Sequence, residues 1–267
     1  MMSTNKIATQ LKTTPIDDGL LDAMINEARI GIDRDLQLIR RPEARVGVIP
    51  SPIGRLLVAE SNRGLATIHF LTMDGAERTL EKLRKKFDLI ENDASTRRVG
   101  AEIDRFFKGD LSVLEHRVDL SVVESEFQRR ALISLRTVPV GSVITYQGLA
   151  AAVGHPNSQR AIGTTMATNP VPIFVPCHRV IKSDGSIGNY GGGVANKLKL
   201  LRAEGFDVGR DLRLPPRAVM GHRKTRIFCR PECSAAKRAD SSRTVYFADA
   251  QSAAHAGLRA CKLCRPA

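Results

Sequence analysis

The five cysteines of this chain fall into two groups, and the larger group dictates part of the fold. One stands at position 177, and Cys229, Cys233, Cys261 and Cys264 all follow position 228. Those four form two close pairs, Cys-x-x-x-Cys and Cys-x-x-Cys, separated by 27 residues. This is the spacing of a structural zinc site, in which four thiolates close a tetrahedron. A segment this short cannot build a large core, so a bound ion would supply much of its folding free energy. Met1 to Thr14 is polar and lacks the apolar run of a secretory signal, so a cytosolic location is expected and a disulfide framework is not. No stretch approaches the ~20 apolar residues of a membrane span, and no membrane partner is expected.

Charge points to the partner. The chain of 267 residues carries a net +13, with a pI of about 10.0. Such a balance suits a polyanion, most simply nucleic acid, although some soluble proteins are merely basic. Hydrophobic residues make up 42%, enough for more than one core.

The pattern along the chain divides it into five parts. Residues 1–43 read as a tail with one amphipathic helix over Asp17 to Ile30 (Leu20, Leu21, Met24, Ile25, Ala28). Residues 44–118 read as a small α/β subdomain with a scaffold role. Its hairpin joins Val46–Ile49 to Leu56–Ala59 through Ser51-Pro52-Ile53-Gly54, a third strand covers Leu65 to Leu71, and helices cover Ala76 to Phe87 and Ala94 to Phe107. Residues 119–206 read as mainly helical. Residues 207–220, rich in Arg and Pro, read as a linker, and 221–267 as the metal module. The fold class expected is mixed α+β and α/β.

Within 119–206, Tyr146 to Val153 is a short helix ended by Gly154, and a second runs from about Ser158 to Thr168, stopping before Asn169-Pro170. Two short helices across a Gly-Pro turn are the signature of a helix-turn-helix. The second bears small residues, among them Ala161 and Gly163, which let a backbone approach a nucleic-acid groove; tight packing inside a protein would explain them equally. Beyond lies Val175-Pro176-Cys177-His178-Arg179-Val180. The thiolate is the reactive form of cysteine, and cationic or hydrogen-bonding neighbours are what bring it within reach near neutral pH. A reactive cysteine beside a DNA-binding element suggests chemistry on DNA. The glycine-rich run Gly185 to Gly193 lacks Gly-Lys-Ser/Thr, so it is no phosphate-binding P-loop.

Taken in order, Thr145-Tyr146-Gln147-Gly148-Leu149-Ala150, Arg160-Ala161-Ile162-Gly163, Asn169-Pro170, Pro176-Cys177-His178-Arg179-Val180, Gly188-Asn189-Tyr190-x-Gly192-Gly193, Lys197, Leu200, Leu201 and Glu204-Gly205 resemble the O6-alkylguanine-DNA alkyltransferases. The resemblance implies a ribonuclease H-like N-terminal subdomain and a winged helix-turn-helix. It also implies a single-turnover reaction, in which Cys177 takes the alkyl group from O6-alkylguanine, and from O4-alkylthymine, and keeps it as a thioether. It further implies that His178 acts on the thiol through a water, that Glu204 orients His178, that Asn169 organises the turn beside the nucleophile, and that Tyr146 helps rotate the nucleotide. Arg160 would fill the gap left by the extruded base, with Ala161, Gly163, Arg179 and Tyr190 also on the DNA side. The partner would be alkylated double-stranded DNA, met by a monomer. Extrusion is needed because the target atom is buried in the duplex.

The C-terminal segments Ile227-Phe228-Cys229-Arg230-Pro231-Glu232-Cys233, Val245-Tyr246-Phe247 and Cys261-Lys262-Leu263-Cys264-Arg265-Pro266 resemble the zinc domain of the bacterial adaptive-response protein. That resemblance implies Zn2+ bound by Cys229, Cys233, Cys261 and Cys264, with Cys229 as a second acceptor that demethylates a methylphosphotriester. The module order is inverted relative to that family. A zinc-stabilised, arginine-rich DNA-binding appendage is the other reading of the segment. A non-catalytic, alkylation-sensing regulator is the other reading of the whole chain, but it leaves Cys177-His178 without a task. A cysteine hydrolase is disfavoured by the adjacency of Cys177 and His178, since catalytic Cys-His pairs come from separate segments.

Overall fold

Alternating burial along Glu43–Ile49 makes β1 a half-buried strand, with Ala44 and Val46 turned inward. The turn at Ser51, closed by the Gly54 N–H donating to the Ser51 carbonyl at 3.1 Å, returns the chain antiparallel as β2 (Leu56–Ser61). β3 (Gly64–Phe70) pairs antiparallel with β2. The helix expected to reach Phe87 ends earlier, as α1 (Ala76–Arg84), because Phe87 is itself core and leads straight into a strand. That strand, β4 (Asp88–Glu91), was not expected from the sequence; only four residues long and mostly exposed, it has no apolar alternation to announce it. It pairs parallel with β1, giving the order β3-β2-β1-β4. α2 (Asp93–Phe107), capped by the Asn92 side chain, packs Val99, Ile103 and Phe106 against Ile49, Leu56 and Leu65.

The structure, a computed structural model, describes residues 19, 22–23, 25–30, 41–72 and 75–266. The chain divides into two units, Met1–Arg41 and Pro42–Ala267. Gly19, 22–23 and 25–30 are helical and exposed, while Leu20, Leu21 and Met24 of the expected amphipathic helix lie outside the described residues.

The next segment opens with α3 (Glu126–Arg136), β5 (Ser142–Thr145) and α4 (Tyr146–Ala152). Thr145 Oγ1 accepts the Gly148 N–H at 2.9 Å and so starts α4. α5 (Gln159–Ala167) follows the Gly154 turn, with Ser158 at its N-cap but making no side-chain cap bond. A 3-10 turn at Cys177–Arg179 leads into β6 (Val180–Ile181), and α6 (Val194–Ala203) ends at Glu204. The first sheet is stitched to this part by the Ile68 N–H donating to the Pro170 carbonyl at 2.8 Å.

The C-terminal module contains β7 (Val219–His222), β8 (Ile227–Cys229), α7 (Ser234–Lys237), β9 (Thr244–Phe247), α8 (Ala250–His255) and β10 (Arg259–Ala260). It does not hang from a free linker. β9 pairs with β7 on one side and with β5 on the other, so one six-stranded sheet runs β10-β8-β7-β9-β5-β6. Arg223 fastens the seam, donating to the Thr137 hydroxyl at 3.0 Å, while it also holds the Ser242 carbonyl of its own module at 3.0 Å. The stretch expected as a linker over 207–220 is pinned: the Ile187 N–H donates to the Leu212 carbonyl and the Leu214 N–H to the Gly185 carbonyl, both at 2.9 Å. Val208 is buried with Phe206 and Val143, and β7 begins inside the stretch at Val219. Its Arg and Pro content reads as loop; the apolar anchors between them hold it down.

Candidate active site and metal centre

Cys177 sits at the end of a buried loop, Val171 to Pro176, in which every residue is buried. Asn169 shapes that loop. Its Nδ2 donates to the Val175 carbonyl at 2.8 Å, and its Oδ1 accepts the Val171 N–H at 3.1 Å. Ile173 is held at φ +77°, a conformation that is strained for a β-branched residue and persists only where its surroundings impose it. Burial pushes the Cys177 thiol up; hydrogen bonding to Asn169 and the nearby charge of Lys197 pull the other way. The Tyr190 hydroxyl is buried beside this thiol without a hydrogen bond of ordinary geometry.

His178 and Glu204 are wholly buried at the side chain, and His178 Nε2 lies 2.7 Å from Glu204 Oε1. Arg179 donates to the same carboxylate from Nε at 2.7 Å and from Nη2 at 2.8 Å. Burial by itself raises the Glu204 pKa, but His178 and Arg179 more than offset this and hold it at about 2. Burial lowers the His178 pKa, so the imidazole is neutral at pH 7. An ionised carboxylate can only accept, so Nε2 carries the proton and Nδ1 the lone pair. That Nδ1 is buried and has no hydrogen-bond partner among the described residues. A buried acceptor left open in this way needs an explanation, and an imidazole poised as a base supplies one.

Arg179 was expected on the DNA side. It is 3% exposed, with its guanidinium spent on Glu204 and the Val138 carbonyl, so it is a buried clamp on the carboxylate and not a surface contact. Arg160 and Ala161 are exposed on α5. A Cβ built on Gly163 would meet nothing within 4 Å, so internal packing does not explain that glycine. Tyr146 is half-buried at the start of α4, and the Tyr190 ring packs edge-on against Phe70 at 6.0 Å.

Residues 44–118 are more than scaffold. A narrow cleft of about 70 Å³ over Cys177 is lined by Ile68, His69 and Phe70 of β3 together with Met166, Asn169 and Tyr190. Gly192 lies so close to the Phe70 ring that a Cβ there would sit 2.7 Å from it. Nothing in the sequence of β3 distinguishes these residues from ordinary strand core. Lys197, noted in the sequence only as one of an ordered series, is buried with its ammonium on the Val180 and Ile187 carbonyls at 2.6 and 2.5 Å. Burial lowers its pKa to about 8.

In the C-terminal module, Cys229 ends β8, Cys233 opens α7, and Cys261 and Cys264 follow β10. Their four sulfurs lie within 4.8 Å of one another. Burial and then the neighbouring thiols push the Cys229 thiol up, while backbone hydrogen bonds hold that of Cys261 at about 7; four like charges at this spacing would repel strongly without a cation between them. A zinc ion held tetrahedrally by the four sulfurs meets both the donor set and the crowding. Cys229 and Cys261 also line a cleft of about 310 Å³ with Arg238.

Comparisons with known proteins match three stretches of the chain. Residues 44–120 match the family model described as 6-O-methylguanine DNA methyltransferase, ribonuclease-like domain, and 126–206 match its DNA binding domain. Residues 208–267 match the metal binding domain of Ada. The methylated-DNA–protein-cysteine methyltransferase of Mycobacterium leprae is 37% identical over 158 residues, 59% of this chain and 90% of that protein. The human protein of the same name is 33% identical over 67% of this chain and 86% of its own length. The bifunctional transcriptional activator/DNA repair enzyme Ada of Escherichia coli is 33% identical over 60% of this chain and 45% of its own. The solved structure of Mycobacterium tuberculosis OGT in complex with DNA superposes with a TM-score of 0.50 at 29% identity, covering 61% of this chain and 93% of that one.

Proposed function

Because this chain belongs to the 6-O-methylguanine DNA methyltransferases and ends in an Ada metal-binding domain, we propose that it repairs alkylated duplex DNA by drawing the damaged base into the cleft over Cys177. It is an enzyme of the methyltransferase class. His178 Nδ1 takes the thiol proton through one water, and the Cys177 sulfur attacks the O6-alkyl carbon. The C–S bond forms as the C–O bond breaks, guanine leaves and takes up a proton, and the thioether stays on the protein. Glu204 fixes the imidazole, Asn169 fixes the loop, Tyr146 turns the nucleotide and Arg160 holds its place in the stack. Ala161 and Gly163 let α5 approach the groove, Tyr190 packs beside the base, and the same cleft accepts O4-alkylthymine. The observation that carries this is the buried His178–Glu204 pair at 2.7 Å, whose other ring nitrogen is left as an open acceptor.

A second acceptor at Cys229 is supported by the cleft that reaches this thiol. When bound, a zinc ion keeps the four sulfurs as thiolates at neutral pH. Cys229, as thiolate, would attack the methyl carbon of a methylphosphotriester, the C–S bond forming as the C–O bond breaks and the phosphodiester anion leaving; the uncharged triester is not repelled by an anionic site as a diester is. The protein works as a cytosolic monomer, in a reducing compartment where its five thiols persist. Peptide mass spectrometry after reaction with randomly methylated duplex DNA tests both acceptors. Methyl on Cys177 is expected, and on Cys229 as well. No methyl on either, despite DNA binding, would leave the lesion-sensing reading standing.

A further inference from the structure

Segment 208–267 holds thirteen Lys and Arg against four Asp and Glu, a net +9 of the chain's +13. A zinc tetrathiolate subtracts two of these charges, so the module stays strongly basic. It also shares a sheet with the first centre. Register runs from Cys229 to Met220, from Met220 to Tyr246, from Tyr246 to Val143, and from the adjacent Ile144 to Val180, three residues past Cys177. Four strand steps of about 4.8 Å put Cys229 about 19 Å from Val180 across the sheet. A duplex rises 3.4 Å per base pair, so this is about six base pairs.

The two parts meet at a cleft of about 270 Å³ whose lining alternates between them: Thr145 and Lys182 to Gly185 on one side, Pro231 and Tyr246 on the other. Thr145 immediately precedes Tyr146, and Pro231 lies between the ligands Cys229 and Cys233. Lys182 is exposed at this cleft, and exposed Arg230 stands directly before Pro231. Arg213, 47% exposed, also lines it, 3.9 Å from the one lining carboxylate, Asp184. The 3-10 turn at Ser241–Arg243 packs on α4, with the Ser241 carbonyl 3.1 Å from a Cβ built on Gly148. The basic module therefore abuts the first helix of the helix-turn-helix.

We propose that this cleft takes the phosphate backbone of the duplex held at Cys177. The two modules then engage one DNA molecule in fixed register, and the module reads only DNA on one side of the lesion. The inference rests on the alkyltransferase reading above. A second protein or a free phosphate would not need the fixed alignment with α4; a continuous duplex does.

The test uses the zinc-loaded full chain and short duplexes with one O6-methylguanine, extended by about ten base pairs, one helical turn, on either side. Extension on one side alone should tighten binding and steepen its salt dependence. In Lys182→Gln/Arg230→Gln the salt slope on that longer duplex should fall by about 1.8, so the loss of affinity between 50 and 200 mM salt is about 12-fold smaller. Lys182→Gln alone, remote from the metal ligands in sequence, should remove about half of that slope change. Equal gains on both sides, no gain on either, or an unchanged slope in both variants would overturn the composite surface. Methyl transfer to Cys177, read by mass in the same samples, tells failure of the underlying reading apart from failure of this one.

Discussion

Cys177 and the four C-terminal cysteines are the same residue put to use by opposite means. At Cys177 the polypeptide alone sets the environment: a buried loop held by Asn169, a neutral imidazole held by Glu204, and the Lys197 ammonium nearby. At the C-terminus the chain supplies only ligands, and an ion from outside must settle their charge. The first centre is a charge network closed within the fold. The second is an incomplete structure at the end of a sheet whose other end carries the first. The difference teaches that rigidity at Cys177 is an internal property, whereas the brace on its sheet depends on the metal.

The sharpest way to break the comparison is Cys177→Ala. It should abolish methyl transfer from O6-methylguanine duplexes while leaving zinc content unchanged, as mass spectrometry and metal analysis would show. Next comes Glu204→Leu, which strands the buried Arg179 guanidinium. Removing one partner of a buried pair costs about 3–5 kcal/mol, to be read by denaturant unfolding, and Glu204→Gln should lose less because it still accepts a hydrogen bond. Zinc removal should act at a distance. Because β9 pairs with β5, chelation is expected to destabilise the whole Pro42–Ala267 unit by about 4 kcal/mol, the linkage value for a ligand at a thousandfold over its dissociation constant. One shifted thermal transition would sustain the shared sheet, and two separate transitions would refute it.

Acid probes the internal network. The Glu204 pKa falls from 4.5 to about 2 on folding, so the unfolded chain binds the proton first. Its contribution, about 3 kcal/mol at 1.36 kcal/mol per unit, is complete above pH 4.5 and is lost as pH falls through 2. Urea titrations at stepped pH would show this decline in wild type and its absence in Glu204→Gln. The smallest effect is expected at the seam. Arg223→Ala removes the bonds to Thr137 and Ser242, at about 1–3 kcal/mol for hydrogen bonds from a charged group, with methyl transfer at Cys177 retained.

Legibility differed between the parts for physical reasons. The helix-turn-helix was readable because Gly154 and Asn169-Pro170 stop helices locally, and the metal ligands because two close cysteine pairs at this spacing suit a tetrahedral metal site. β4 was not readable, nor was the part that β3 plays over Cys177, since Ile68 and Phe70 look like any strand core. Arg179 misled because a charged residue beside a nucleophile reads as a surface contact until burial is known.

The sequence by itself determined the Cys177-His178 pair, the four clustered cysteines and the order of the modules, because each rests on residue type and short spacing. The tertiary structure alone decided that Arg179 clamps Glu204, that Lys197 sits near the Cys177 thiol, that the first subdomain lines the cleft, and that the metal module extends the sheet of β5. Those facts depend on segments far apart in the chain, and pairing across such distances is set by the packing of whole elements, which no local pattern encodes.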